Sequence, residues 1–167
     1  MGCNCNNYMA TDFVQYTEFG YWLNKEEYPN AKVPTRSFKY DAGFDLSLAL
    51  REGNTYIEIP KFGRCIGTTG VHMQLQPGWE AQIRPRSGNA AKMGLTVLNS
   101  PGTIDSSYIG EIMVILYNAS TEPIILNEGD RIAQMVIKKV PLIELRELQN
   151  KPTNDDRGSG GFGSTGK

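Results

Sequence analysis

Three segments of this 167-residue chain carry side chains suited to handling an anion. The first is Arg157-Gly-Ser-Gly-Gly-Phe-Gly-Ser-Thr-Gly-Lys167. Its five glycines among eleven residues accept the positive φ values that let successive backbone N–H groups converge on a phosphate. Arg157 supplies a bidentate fork, Ser164 and Thr165 supply hydroxyls, and Lys167 adds a point charge. Phe162 is an aromatic ring in a polar stretch, and a nucleobase is the flat partner that suits it. The second segment, Arg84-Pro-Arg-Ser-Gly88, brings two cations, a hydroxyl and a glycine to a helix start, which favours phosphate by charge and by the helix dipole. The third runs from Gly94 to Gly110. There Pro101-Gly102 makes a tight turn, so Asn99 and Asp105 are expected near each other at a hairpin mouth. An aspartate in that place can act as a general base towards water. Tyr108, three residues on, has room to lie flat under a sugar.

Two common glycine patterns match the tail and both fail on context. Gly158–Gly163 fits G-x-G-x-x-G, and Gly161–Lys167 fits the opening of a Walker A loop. Each hands its phosphate to a helix and follows a strand. Here Asn154-Asp155-Asp156 precedes the glycines and no helix-forming stretch follows. The tail is therefore expected to be an arm that closes over a ligand held elsewhere. Taken singly, each segment also has an ordinary reading: a serine- and glycine-rich terminus, a capped helix with surface arginines, a turn capped by an aspartate.

The elements that must position these groups are mostly strands. Phe44, Leu46 and Leu48 alternate with Asp45 and Ser47, which puts Asp45 on the face opposite the core. Val71, Met73 and Leu75 alternate with His72, Gln74 and Gln76; after Pro77-Gly78, Trp79, Ala81 and Ile83 alternate on the way back. Ile112 to Tyr117 is apolar on both faces, as in a strand buried between layers or subunits. Ile124–Leu126 and Ile132–Val136, separated by Asn127-Glu-Gly-Asp130, are expected to form a hairpin. One short helix is expected, capped by Ser87, formed by Asn89–Met93 and ended by Gly94. Many short strands between turn residues predict an all-β barrel or sandwich.

Composition narrows the function. A net charge of −1 with no basic stripe argues against non-specific nucleic-acid binding. No apolar run approaches the length of a membrane span, and the start lacks the apolar stretch of a signal peptide. Gly2-Cys3 lacks the Ser or Thr at position six that acylation wants, since Asn6 stands there. Cys3 and Cys5 are too close for an easy disulfide and Cys65 stands alone, so free thiols in a reducing cytoplasm are expected. His72 is the one histidine, which disfavours a histidine-based triad and predicts a structural role on a strand.

Taken together, Ala42-Gly-Phe-Asp-Leu46, Pro85-Arg-Ser-Gly88, Asn99 with Gly102-Thr-Ile-Asp-Ser-Ser-Tyr-Ile-Gly110, Gly129-Asp-Arg-Ile-Ala-Gln-Met135 and the tail from Arg157 to Gly166 resemble the five ordered motifs of the trimeric dUTPase family. The resemblance covers about residues 28 to 167. It implies an all-β β-clip, or distorted jelly-roll, with one short helix, assembled as a homotrimer whose C-terminal arms are exchanged. It implies an extension at 1–28, a core at 29–150, and a linker and arm at 151–167. The implied reaction is Mg²⁺-dependent hydrolysis of dUTP to dUMP and pyrophosphate, which limits uracil in DNA and supplies dUMP. By the same likeness, Asp105 activates the water that attacks the α-phosphorus. Arg86, Ser87, Gly88 and Gln134 hold the phosphates, and Asp45 meets the metal through water. Asn99, Thr103 and Ile104 read uracil, Tyr108 excludes ribose, and Met113 lies at the pocket edge. Arg157 meets the γ-phosphate, Phe162 stacks on the base, and Gly163, Ser164 and Thr165 finish the cage.

Two residues depart from the resembled pattern: Asn89 stands where leucine is common, and Ile109 where Arg, Lys or Gln is common. Two alternatives stay open beside the hydrolase. One is a dCTP deaminase-like enzyme, and the other a nucleotide-gated binding protein on the same trimer. Any protein regulator is expected to engage through residues 1–28.

Overall fold

Strands form where the period-two alternation is present. The computed structural model describes residues 17–153. Its elements are β1 (Gly20–Leu23), β2 (Gly43–Ser47), β3 (Tyr56–Ile59), β4 (Arg64–Gly67), β5 (Val71–Gln74), β6 (Trp79–Arg84), α1 (Ser87–Met93), β7 (Leu95–Val97), β8 (Gly102–Asp105), β9 (Val114–Asn118), β10 (Ile124–Asn127) and β11 (Arg131–Lys139). They make a four-stranded sheet in the order β2-β11-β6-β8, a three-stranded sheet β4-β9-β7, and the pairs β10-β3 and β1-β5. Every pairing between these strands is antiparallel.

The core takes Leu46 and Leu48 from the alternation read in sequence and the rest from strands and loops farther along the chain. Leu46, Leu48, Ile59, Leu95, Ile112, Leu116, Ile132 and Met135 are all buried. Each such side chain contributes about 1.5–3 kcal/mol of transfer free energy relative to staying exposed. Strand β9 buries Val114 and Leu116 on one face but leaves Ile115 exposed on the other. Ile66, its register partner on β4, is exposed as well.

Three local expectations are corrected. Ile124–Leu126 and Ile132–Val136 do not pair as a hairpin: β10 joins β3, while β11 joins β2 and β6. The turn between them forms, with Asp130 N–H donating to the Asn127 carbonyl at 3.0 Å. It then bonds to Leu48 instead of closing a ladder: Leu48 N–H donates to the Asp130 carbonyl and Gly129 N–H to the Leu48 carbonyl, both at 2.8 Å. Likewise β5 and β6 flank Pro77-Gly78 but enter different sheets. Lastly, Ser87 is the first helical residue and not the cap; Arg86 holds the cap position, with no side-chain capping bond. Gly94 ends the helix as expected, at φ 69°.

Part of the stretch expected as an extension is built into the fold. β1 pairs with β5, Asn24 N–H donates to the Gly70 carbonyl at 2.8 Å, and Tyr28 and Ala31 are buried against Ala49. Burial, and then the carboxylate of Glu111, push the Tyr28 phenol above its ordinary range. Among the described residues, no helix is long and apolar enough to cross a membrane.

Candidate active site

β2 and β11 run side by side, with Asp45 opposite Gln134, and this pair forms the floor of a polar cleft. Asp45 faces away from the core as its alternation requires, and its side chain is only 13% exposed. Its Oδ1 accepts Arg86 Nε at 2.7 Å, and its Oδ2 accepts Arg131 Nη1 at 2.9 Å. Gln134 Nε2 donates to the Pro85 carbonyl at 2.9 Å, which ties β11 to the segment entering α1. Gly43 is what lets the strands carry this arrangement. A Cβ there would fall 2.2 Å from Gln134 Oε1. The resulting cleft is about 310 Å³ and is lined by Gly43, Asp45, Arg86, Ser87, Gly88 and Gln134, with Ser37 and Asp41 beside them. Its chemistry is that of an anion seat: a planar cation held by a carboxylate, a free hydroxyl, and a glycine that admits close approach.

The second group of residues sits on β8, the edge of the four-stranded sheet. An edge strand leaves one row of backbone donors and acceptors unpaired by the sheet. Ile83 pairs with Gly102, Gln82 with Thr103, Ala81 with Ile104 and Glu80 with Asp105. Thr103 and Asp105 are exposed. Asn99 lies over the start of this strand, where a Cβ on Gly102 would meet its Nδ2 at 3.3 Å. Asp105 is at the far end of β8, about 10 Å along the strand. The hairpin mouth expected to hold Asn99 and Asp105 side by side is thus drawn out along an edge.

Beyond Asp105 the chain turns, with Tyr108 N–H donating to the Asp105 carbonyl at 3.0 Å. The Tyr108 hydroxyl donates to the Glu111 carbonyl at 2.8 Å, and the ring crosses Gly110, where a Cβ would fall 2.5 Å from its oxygen. Glu111 fixes this loop in turn: its carboxylate accepts Thr69 N–H at 2.9 Å and Gly70 N–H at 2.8 Å. Met113 is half-exposed just before β9.

Within one chain the two groups stay apart. Asp45 and Asp105 are separated by three strand spacings and by the four positions from Arg84 to Glu80, on the order of 20 Å across a flat sheet. Arg157, Phe162, Gly163, Ser164 and Thr165 lie outside the described residues. Arg131, Ser37, Asp41 and Glu111 were not singled out by sequence reasoning. Only Arg131 had a local signal, as a cation three positions before Gln134.

The dUTPase family profile matches residues 29–166. The chain belongs to the dUTPase family. It is 48% identical over 140 residues to the deoxyuridine 5'-triphosphate nucleotidohydrolase of Wolinella succinogenes, covering 84% of this chain and 90% of the relative. It is also 48% identical over 134 residues to the enzyme of the same name from Anaplasma marginale, covering 80% and 88%. In fold it is similar to a point mutant of the dUTPase of Staphylococcus bacteriophage 80alpha solved with dUpNHpp, at a TM-score of 0.78 and 22% identity over 91% of this chain and 100% of that one. A dUTPase variant of phage phi11, solved with a structural Mg(II) ion, matches at a TM-score of 0.69 and 22% identity over 80% and 98%. The all-β fold with one short helix stands on its own strands and on these likenesses.

Proposed function

We propose that this chain hydrolyses dUTP to dUMP and pyrophosphate. The observation that carries the reading is a cation-lined cleft around Asp45 at one end of the sheet, paired with an open strand edge carrying Asp105 and Tyr108 at the other. In this reaction Asp105 accepts a proton from water as the water oxygen bonds to the α-phosphorus. The bond from that phosphorus to the bridging oxygen breaks, and pyrophosphate leaves with the electron pair. Arg86, Ser87, Gly88 and Gln134 hold the phosphate oxygens, and Arg157, Ser164 and Thr165 close over them from the tail.

Asn99 and the free backbone edge at Thr103 and Ile104 read the rim of uracil. Tyr108 fills the space a 2′-hydroxyl would need, Met113 borders the pocket, and Phe162 with Gly163 covers the base. A base or sugar that leaves a buried donor or acceptor unpaired loses about 1–3 kcal/mol for each one.

The residues present suit Mg²⁺ carried by the substrate. Among the described residues no group of three or more acidic, His or Cys side chains converges, and Asp45 offers a single carboxylate near the phosphate cleft. That donor set fits an ion held mainly by the phosphates and by water, with Asp45 in its outer sphere. When bound, Mg²⁺ neutralises phosphate charge and assists departure of pyrophosphate.

The separation of cleft and edge within one chain supports a homotrimer, in which the cleft of one copy faces the Asp105 strand of a second and the arm of a third closes the site. The free thiol of Cys65 suits a cytoplasmic setting.

The test is pyrophosphate release with Mg²⁺ from dUTP, dCTP, dTTP and UTP at equal concentration. Release from dUTP alone is expected; equal release from UTP or dTTP would sink the readings of Tyr108 and of the β8 edge.

A further inference from the structure

We propose that β1 and His72 form a brace that holds the Tyr108 loop in its sugar-reading pose, with His72 as a positioning residue for specificity. The proposal rests on the reading of Tyr108 given above. β1 precedes the family-matched residues, which begin at 29, yet it is laid along β5 in a defined register: Gly20 with Gln74, Tyr21 with Met73, Trp22 with His72, Leu23 with Val71. Trp22 and His72 are therefore direct cross-strand partners. Their rings sit 4.8 Å apart between centroids at an interplanar angle of 56°. Such an aromatic pair fixes the imidazole plane.

The plane matters because of what the ring reaches. His72 Nδ1 stands 3.0 Å from the carbonyl oxygen of Ile109, the residue after Tyr108. A carbonyl only accepts, so Nδ1 carries the hydrogen and donates it. His72 Nε2 is buried and has no partner among the described residues. The polar capacity of the ring is thus committed to this one loop carbonyl.

The loop has few other fixings at that point. The Ile109 side chain is 79% exposed and so buries little to hold the backbone in place. The remaining ties are Tyr108 N–H to Asp105, the Tyr108 hydroxyl to the Glu111 carbonyl, Glu111 to Thr69 and Gly70, and Ile112 N–H to the Val71 carbonyl at 2.8 Å. Among the described residues, His72 supplies the hydrogen bond to the carbonyl of Ile109, directly after Tyr108. Trp22, itself 58% exposed, contributes by holding His72. A loop freed at Ile109 lets Tyr108 back away, and the first property to suffer is rejection of ribose.

The experiment compares His72→Leu, His72→Asn and Trp22→Ala with the parent protein. Amide hydrogen exchange is followed over residues 106–112 without nucleotide, and kcat and KM are measured for dUTP and UTP. In His72→Leu and Trp22→Ala, exchange in the loop is expected to quicken about tenfold, and the dUTP-to-UTP ratio of kcat/KM to fall about tenfold, with kcat for dUTP little changed. His72→Asn places an amide donor near the position of Nδ1 and is expected to recover most of both. Unchanged exchange in His72→Leu overturns the brace, and so does equal loss in the Leu and Asn variants. Quickened exchange with unaltered discrimination overturns the specificity role. A parent protein that splits UTP as fast as dUTP would sink the reading of Tyr108 instead, while the exchange data would still decide whether the brace exists.

Discussion

Asp45 and Arg86, forty-one positions apart, meet as a part-buried ion pair at 2.7 Å, with side-chain exposures of 13% and 23%. Arg131 approaches the same carboxylate at 2.9 Å. One anion thus sets the pose of two cations beside the polar cleft. Replacing it, in Asp45→Ala, removes a part-buried bond from Arg86 worth about 1.5–3 kcal/mol and a weaker, half-exposed one from Arg131, and frees Arg86 to leave the cleft. The expected result is a KM for dUTP raised about tenfold and a higher Mg²⁺ requirement. Pyrophosphate release across a Mg²⁺ titration checks both, and an unchanged Mg²⁺ requirement would remove Asp45 from the metal's surroundings.

Gly43→Ala tests the other wall of that cleft. The added methyl would stand 2.2 Å from Gln134 Oε1, so the flexible end of Gln134 must move and its bond to the Pro85 carbonyl breaks. Because a side-chain tip yields more easily than backbone, melting should shift little while kcat/KM falls by about tenfold or more. A large drop in melting temperature with normal kcat/KM would mean that Gly43 serves the strand and not the site.

Asp105→Asn keeps the shape of the β8 terminus and removes the proton acceptor. Turnover should fall by about 10²–10⁴-fold, while calorimetry with a non-hydrolysable dUTP analogue should show near-normal affinity. Full turnover in this variant would exclude Asp105 as the base.

Cys65 provides a pH-dependent check on the packing of β4. Burial pushes its thiol up, because desolvation penalises the thiolate. Alkylation at Cys65 near pH 8 should therefore be slower than for an unperturbed thiol and should rise as pH climbs through the raised value. Peptide-resolved mass spectrometry gives the rate at this cysteine separately from those at Cys3 and Cys5. A rate at Cys65 equal to that of free cysteine would show that β4 opens readily.

What sequence could disclose depended on the range of the interaction. Leu46 and Leu48 were legible as core, and Asp45 as facing away from it, because alternation is a property of neighbours. Gly94 was legible as a helix end for the same reason. Ser87 was misplaced by one position, a small error in local terms but one that leaves its hydroxyl to the cleft. The β10–β11 hairpin failed because a turn signal does not say which strand each arm joins; Ile124 finds Ile59, and Gln134 finds both Asp45 and Arg84. Glu111 was silent in sequence because its partners, the amides of Thr69 and Gly70, are more than forty positions away. The pairing of β1 was silent likewise, since His72, the partner of Trp22, lies fifty positions on.

In the proposed trimer, the distance between Asp45 and Asp105 within one chain makes the working unit larger than the chain. Two crippled proteins, Arg86→Ala and Asp105→Asn, each spoil a different half of every site they build. Refolded together in equal amounts, they shuffle into mixed rings, and about one site in four then draws an intact cleft from one parent and an intact Asp105 from the other. Catalysis would return from a mixture of inactive ingredients, and dilution to the point of dissociation would extinguish even the parent enzyme.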